Sequence, residues 1–400
     1  MTETRSSWLT AADAAGLLGI SRTTLYAYVS RGYVRSQSAS SSTRERSYCR
    51  DDLERLRRRT EERRAPDKAA ARALQWGMPI LESSIALIDG TRLYYRGHDV
   101  SRLARSRAVD EVAALIWTGH FTPLAAGNGS RVTSRPSSKL PFVARAHSVL
   151  ASAAVQDSQA LDLRPPAVAA TGMRILWLLT RAAVSISIDR ETIEEALARE
   201  WRVPARGIPL LRAALILCAD HELNVSSFTA RCVASSGSHP YAVVSAGLCA
   251  LEGPKHGGAT SRVESMLEAT RHSRPLGAAV NARLRRGETI DGFGHPLYRD
   301  GDPRARVLLD MLKERYPRSP EYRFVTAFAD AAGEATGEHP NVDFGLGALG
   351  RVLSLPSGSP LVLFAVGRSV GWIGHAIEQY ATAQLIRPRA RYVGVPALRP

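Results

Sequence analysis

Residues 292–304 read Gly-Phe-Gly-His-Pro-Leu-Tyr-Arg-Asp-Gly-Asp-Pro-Arg. Histidine, arginine and aspartate crowd here among glycines and prolines, and Asp302-Pro303 makes a good helix start. Glycine and proline end helices and let the backbone approach a ligand, so the stretch reads as a loop that carries chemistry. Three others in the second half share this make-up: Gly253-Pro254-Lys255-His256-Gly257-Gly258, Asn341-Val342-Asp343-Phe344 and Gly367-Arg368-Ser369-Val370-Gly371-Trp372-Ile373-Gly374-His375. Singly, each has a plain alternative: a histidine at a helix end satisfies carbonyls, and Asp343 can cap a helix. Around them, from about residue 70, the chain runs in Ala/Leu-rich stretches broken by Gly and Pro, with little strand alternation. That predicts an all-α fold.

Four hundred residues, 44% hydrophobic, are more than one core organises, so at least two domains are expected. The chain opens Met1-Thr2-Glu3 without a basic stretch leading into an apolar one, and no apolar run is expected to reach the roughly 20 residues of a membrane span. A cytoplasmic protein without membrane contact follows. Cys49, Cys218, Cys232 and Cys249 form no CxxC pair and sit in apolar or mixed sequence, which predicts buried thiols and no metal site. A GxxxxGK[ST] loop, a GxGxxG after a strand, HExxH and a serine elbow are all missing, so nucleotide-dependent kinase or dehydrogenase chemistry has no support. The stretch Gly127–Pro141 reads as an exposed connection.

The net charge of +15 is unevenly spread: residues 1–72 carry 15 Lys/Arg against 9 Asp/Glu, and the remaining 328 residues 38 against 29. Basicity per residue is about three times denser in the first segment, which suits a polyanionic partner there. Trp8 to Val29 reads as two short helices joined by a glycine turn, with Thr10 capping the first and Ser21 the second. Leu9, Ala12, Ala15 and Leu18 would share one face, and Leu25, Tyr28 and Val29 another. This helix-turn-helix pattern resembles the small DNA-binding domains of the MerR and excisionase type, in which a wing precedes an Arg-x-Tyr-x-x-x-Asp-Leu stretch that opens another helix. Arg46 to Leu53 fits that stretch. The resemblance implies DNA contact through residues 8–55: Arg22, Thr23 and Tyr26 would reach the major groove, and Arg44 and Arg46 the backbone from a wing whose Ser38–Ser42 run looks mobile. The alternative is a helical module for dimer contacts or autoregulation. The basic run Arg55–Arg64 is interspersed with glutamates, reads as a solvated linker helix, and Pro66 marks a boundary.

Taken in order, the four loop stretches of the second half resemble the citrate synthase family. Ile88-Asp89-Gly90, Tyr95-Arg96-Gly97-His98-Asp99-Val100, Asp220-His221-Glu222-Leu223-Asn224-Val225-Ser226 and Ile386-Arg387-Pro388-Arg389 extend the likeness over about residues 75–392. It implies a two-domain helical fold at 66–400, with a large domain at about 66–268 and 362–400 and a small one at about 269–361, behind a winged helix-turn-helix domain at 1–65. It also implies condensation of acetyl-CoA, as co-substrate, with oxaloacetate, the step known from the tricarboxylic acid cycle, with no permanently bound cofactor and no metal. His256, His295 and Asp343 would be catalytic. Asp343 would take a proton from the acetyl methyl, His256 would donate to the thioester oxygen, and His295 would polarise the ketone. An imidazole followed by Gly257 and Gly258 at a helix start would stay neutral beside the positive end of the helix dipole.

Arg304, Arg368 and Arg387 match the family's carboxylate-binding arginines, with His221 adding a hydrogen bond. Arg387 would come from the other subunit of a homodimer. Gly292, Phe293 and Arg299 would meet CoA. Departures are Lys255 where leucine is common, Gly345 in place of an aromatic residue, Pro296 where a basic residue is frequent, and a shorter early part. They bear on substrate choice and CoA affinity more than on reaction type. Two other functions stay open: 2-methylcitrate synthesis from propionyl-CoA, and a DNA-binding transcription regulator that senses an acyl-CoA or organic acid.

Overall fold

The computed structural model describes residues 8–38, 46–64, 81–124, 140–185 and 191–395. The chain divides into two compact units, 1–82 and 83–400. The expected boundary at Pro66, residues 39–42 of the serine run, Arg44 and nearly all of the 127–141 connection lie outside the described residues.

In the first unit, β1 (Trp8–Leu9), α1 (Ala11–Leu18), α2 (Arg22–Ser30), β2 (Ser36–Ser38), β3 (Arg46–Cys49) and α3 (Arg50–Arg64) follow in order. β3 lies between β1 and β2, antiparallel to both, with Trp8 opposite Cys49 and Ser36 opposite Tyr48. Thr10 and Ser21 cap α1 and α2 as expected, accepting the N–H of Asp13 at 3.2 Å and of Thr24 at 3.1 Å. Gly19 makes the turn between them with φ +62°. The small core joins Ala14, Ala15, Leu25, Val34, Tyr48 and Leu53. Ala12, expected on the buried face, is exposed; the packed stripe runs instead through Ala11, Ala14, Ala15 and Leu18, at helical spacings of three and four. Tyr48 and Leu53 of the Arg-x-Tyr stretch are thus core residues. Buried Asp52 accepts from the N, Nε and Nη2 of Arg35 at 2.9, 2.8 and 3.1 Å, and the Arg35 guanidinium holds its carboxyl well below the usual range.

The second unit opens with β4 (Ala86–Asp89), β5 (Arg92–Tyr95) and β6 (His98–Asp99), a meander in which Ala86 and His98 both face Tyr95. Asp99 then caps α4 (Val100–Ser106). Among the described residues thirteen further α-helices follow: α5 (Val109–Thr118), α6 (Phe142–Gln156), α7 (Pro165–Ala183), α8 (Ile193–Glu200), α9 (Ile208–Cys218), α10 (Val225–Ser235), α11 (Pro240–Leu251), α12 (Ala259–Thr270), α13 (Leu276–Arg285), α14 (Pro303–Arg315), α15 (Pro320–Thr336), α16 (Val342–Val352) and α17 (Ser359–Thr382). The expected helical architecture is observed, with two three-stranded sheets added to it among the described residues.

α17 runs through the core and packs against α5, α7, α9, α10 and α11. A Cβ at Gly367 would lie 2.4 Å from the Leu215 carbonyl oxygen, and one at Gly371 2.3 Å from that of Ala219, so glycines admit α9 and the turn after it. α17 corrects the expectation about apolar runs: it is long and apolar enough to cross a membrane, but 94% of its apolar window is buried inside the protein, where it serves as the core helix. Not every thiol is buried, either. Cys49 and Cys218 are, whereas Cys249 is exposed on α11.

Candidate active site

Five of the expected site residues lie on turns or helix starts, and Arg368 lies inside α17. Gly294 N donates to His339 O at 2.8 Å, Asn341 N to Gly292 O at 2.8 Å and Asn341 Nδ2 to Gly294 O at 3.0 Å. These bonds stitch the loop of His295 to the start of α16. Asn341, not Asp343, caps that helix: its Oδ1 accepts from the N–H of Asp343 at 3.0 Å. The Asp343 carboxyl is therefore free for other work, and its Oδ1 is shut from solvent without a hydrogen-bond partner. Burial pushes this group up to about 7, against the pull of Arg304.

Asp302 ties a second helix start to the first. Its carboxylate caps α14, accepts from Arg304 Nε at 3.0 Å and Nη2 at 2.8 Å, and accepts from Val342 N at 3.0 Å. Arg304 is thereby fixed beside the α16 terminus and stays firmly charged although only 3% exposed. Arg368, 1% exposed, donates from Nε to Cys218 O at 2.7 Å, while its Nη2 is buried with no partner. A guanidinium left with an unused buried donor suits an anion.

His221 Nε2 meets Tyr298 Oη at 3.0 Å, and its ring stands edge-on to His295 with centroids 5.1 Å apart. His295 Nδ1 accepts from Leu297 N at 3.1 Å, so Nε2 carries the hydrogen and can donate. Burial, then Arg304, pushes the His295 ring down to about 4. His256 Nε2 lies 2.8 Å from Ser226 Oγ, which accepts from Trp372 Nε1 at 3.1 Å. The single hydrogen of Ser226 goes either to Asn224 Oδ1 at 2.8 Å or to His256; only the second arrangement leaves His256 with a donating Nδ1–H. Burial pushes His256 down to about 3, with Arg368 and Arg304 adding to it. Burial and the two guanidinium groups thus keep its ring neutral. Arg304 and Arg368 both bear electrostatically on His221, His256 and Asp343, and Arg304 also bears on His295, so charge interactions link the six groups.

The structure does not bring Arg387 to this cluster; it is exposed on the segment after α17. Gly292 sits at φ +85° where a Cβ would meet Phe344 at 2.8 Å, and Phe293 packs on Phe344 with ring centroids 4.9 Å apart. Arg299 and Lys255 are exposed. Gly345 stands against α14, where a Cβ would already lie 3.1 Å from Leu308, so an aromatic side chain has no room. Two clefts, of about 430 Å³ at Arg92, Arg102, Arg107 and Phe121 and of about 410 Å³ at Arg262, Met266 and Arg283, contain none of the six. In the first unit, Arg22, Thr23 and Tyr26 are exposed on α2, Tyr26 at 52%, and Arg46 is exposed on β3.

Ser226, Tyr298 and Asn341 were not singled out from sequence, and Asp302 only as a helix start, although each sits inside a quoted stretch. Their residue types are ordinary at helix starts, so only their partners reveal what they do.

A family model described as the C-terminal domain of citrate synthase matches residues 73–389. Citrate synthase 2 of Bacillus subtilis is 30% identical over 358 residues, 81% of this chain and 96% of the relative. 2-Methylcitrate synthase of Shewanella oneidensis is 28% identical, over 77% of this chain and 90% of the relative. Among solved structures, citrate synthase of Thermotoga maritima superimposes with TM-score 0.66 at 28% identity, covering 81% of this chain and 96% of that one. The citrate synthase of Thermoplasma acidophilum, in ternary complex with carboxymethyl coenzyme A and oxaloacetate, does so with TM-score 0.69 at 25% identity, covering 82% and 97%. Sequence, fold and length agree, and this chain belongs to the citrate synthase family of acyltransferases.

Proposed function

We propose that the protein condenses acetyl-CoA with oxaloacetate and water to give citrate and free CoA. The observation that carries this reading is the Asp343 carboxyl, uncapped, buried and lifted to about 7, beside the guanidinium groups that also face His256. A thioester methyl is a very weak acid, so its deprotonation needs a base placed against it and a donor on the oxygen that gains charge. Asp343 takes the proton and His256 Nδ1–H, with Ser226 donating to Nε2, holds the enolate oxygen. The enol carbon then attacks the ketone carbon of oxaloacetate, and His295 Nε2–H delivers its proton to the new alkoxide. Water cleaves the C–S bond of citryl-CoA, and CoA leaves with its thiol proton. Arg304, Arg368 and His221 hold the two oxaloacetate carboxylates, and the guanidinium donors impose one orientation. Arg387 completes the site from a second subunit of a homodimer. The backbone of residues 292–294, with Arg299, contributes to the CoA site, the Phe293 ring being turned into the aromatic cluster.

Thiol release in the presence of oxaloacetate and either acetyl-CoA or propionyl-CoA tests the reading; release with neither would refute it. Faster release with propionyl-CoA would favour 2-methylcitrate synthesis, which the similarity to the Shewanella oneidensis enzyme keeps open. The N-terminal unit is a helix-turn-helix domain with a short wing, which docks α2 in a DNA major groove through Arg22, Thr23 and Tyr26, with Arg46 and Arg44 at the backbone. Exposure of the α2 side chains and the basic balance of residues 1–72 support this. Filter binding to genomic fragments should weaken steeply with salt; no binding at low salt would remove the DNA claim and, with it, the regulator reading.

A further inference from the structure

We propose that Tyr95, Asp220 and His375 are positioning residues, a buried polar strut that holds the His221 turn against the Arg368 helix and so shapes the oxo-acid subsite. The proposal rests on the reading of His221 and Arg368 as oxaloacetate ligands. All three strut residues are fully buried, at 0% exposure, and none is needed for proton transfer in the scheme above.

The strut grips residues 219–220 from two sides. From β5, Tyr95 Oη accepts the Asp220 N–H at 3.0 Å and lies 3.0 Å from Asp220 O and 3.1 Å from Ile216 O, one of which takes its hydrogen. From α17, Gly371 N donates to Ala219 O at 3.0 Å, and His375 Nε2 meets Asp220 Oδ1 at 3.1 Å. A carboxylate only accepts, so His375 carries its hydrogen on Nε2. His375 lies seven residues beyond Arg368, about two turns along the same face of α17, while Asp220 is the residue before His221. The His375–Asp220 contact therefore sets where His221 stands relative to Arg368.

Its chemistry is costly for a purely structural joint. Asp220 Oδ2 and His375 Nδ1 are buried without hydrogen-bond partners, and an apolar pair would pack the same space without that penalty. The gain appears at Arg368. Burial pushes its guanidinium down, and Asp220 is the foremost group opposing that effect, a fixed counter-charge for an arginine whose Nη2 waits for an anion.

Oxaloacetate binding to the full chain by titration calorimetry, alongside steady-state kinetics, tests the strut. His375→Leu should weaken oxaloacetate binding and raise its KM by about tenfold, with the acetyl-CoA KM within about twofold. His375→Gln, whose Nε2 can still donate to Asp220, should recover most of the loss. Tyr95→Phe should give a smaller shift of the same kind, and Asp220→Asn, which keeps the shape and removes the charge, should raise the oxaloacetate KM by about tenfold, which keeps the strut testable if His375→Leu fails to fold. Unchanged oxaloacetate affinity in folded His375→Leu or Asp220→Asn overturns the strut, as does an equal loss for both substrates. Oxaloacetate binding without turnover in the wild type would sink the catalytic reading and leave the strut standing; no binding at all by the wild type overturns both.

Discussion

Replacing Asp343 by Asn separates catalysis from stability in opposite directions. The carboxyl is lifted from an ordinary value near 3.8 to about 7 because burial penalises its charge. The folded state thus holds the proton more tightly than the unfolded one, and stability falls as pH rises between those two values. Above both, the ionised group destabilises the fold by up to about 4 kcal/mol, at about 1.4 kcal/mol per unit. Asn removes that term. Urea unfolding at about pH 8 should therefore show Asp343→Asn more stable than the wild type by about 2–4 kcal/mol, and the gap should close towards about pH 4. Thiol release should meanwhile fall by about 10²–10⁴-fold, the contribution of a positioned base. A variant that is less stable at the higher pH would refute the burial argument, and one that keeps its turnover would refute the assignment of the base.

Ser226→Ala removes the partner of His256 Nε2 and should lower kcat about 10–100-fold, with the oxaloacetate KM little changed in steady-state assays. Gly371→Ala places a Cβ 2.3 Å from the Ala219 oxygen and 2.6 Å from Asp220 Oδ1, and should destabilise the fold by about 2–4 kcal/mol in urea titrations. If Arg387 acts across a dimer, Arg387→Ala and Asp343→Asn will each be inactive alone, yet mixed subunits will recover about a quarter of wild-type activity; no recovery after subunit exchange places Arg387 in its own subunit's site.

Local signals in the sequence were reliable where one residue and its neighbours decide the outcome. Thr10 and Ser21 cap α1 and α2, Asp302-Pro303 starts α14, and the Gly/Pro-bounded loops mark where His256, His295 and Asp343 lie. Periodicity was less reliable in short helices, as the exposed Ala12 shows, because eight residues allow two overlapping apolar stripes and only the packing partner selects one. The apolar character of α17 was underestimated because its charges and glycines interrupt the run, although those glycines are what bring α9 close.

Sequence by itself determined the class of fold, the order of the loops and the identities of the groups that can do chemistry, since capping, helix-breaking and side-chain chemistry are local properties. Tertiary structure alone decided their states. Which aspartate bonds across to a second helix start and which is left unpartnered, how deeply His256 is buried, and which arginine keeps a free donor all depend on atoms distant along the chain. Desolvation and hydrogen bonding are set by what the fold places within a few ångströms, and Asp302 bonded to Val342 and Asp220 bonded to His375 are contacts that no reading along the chain can supply.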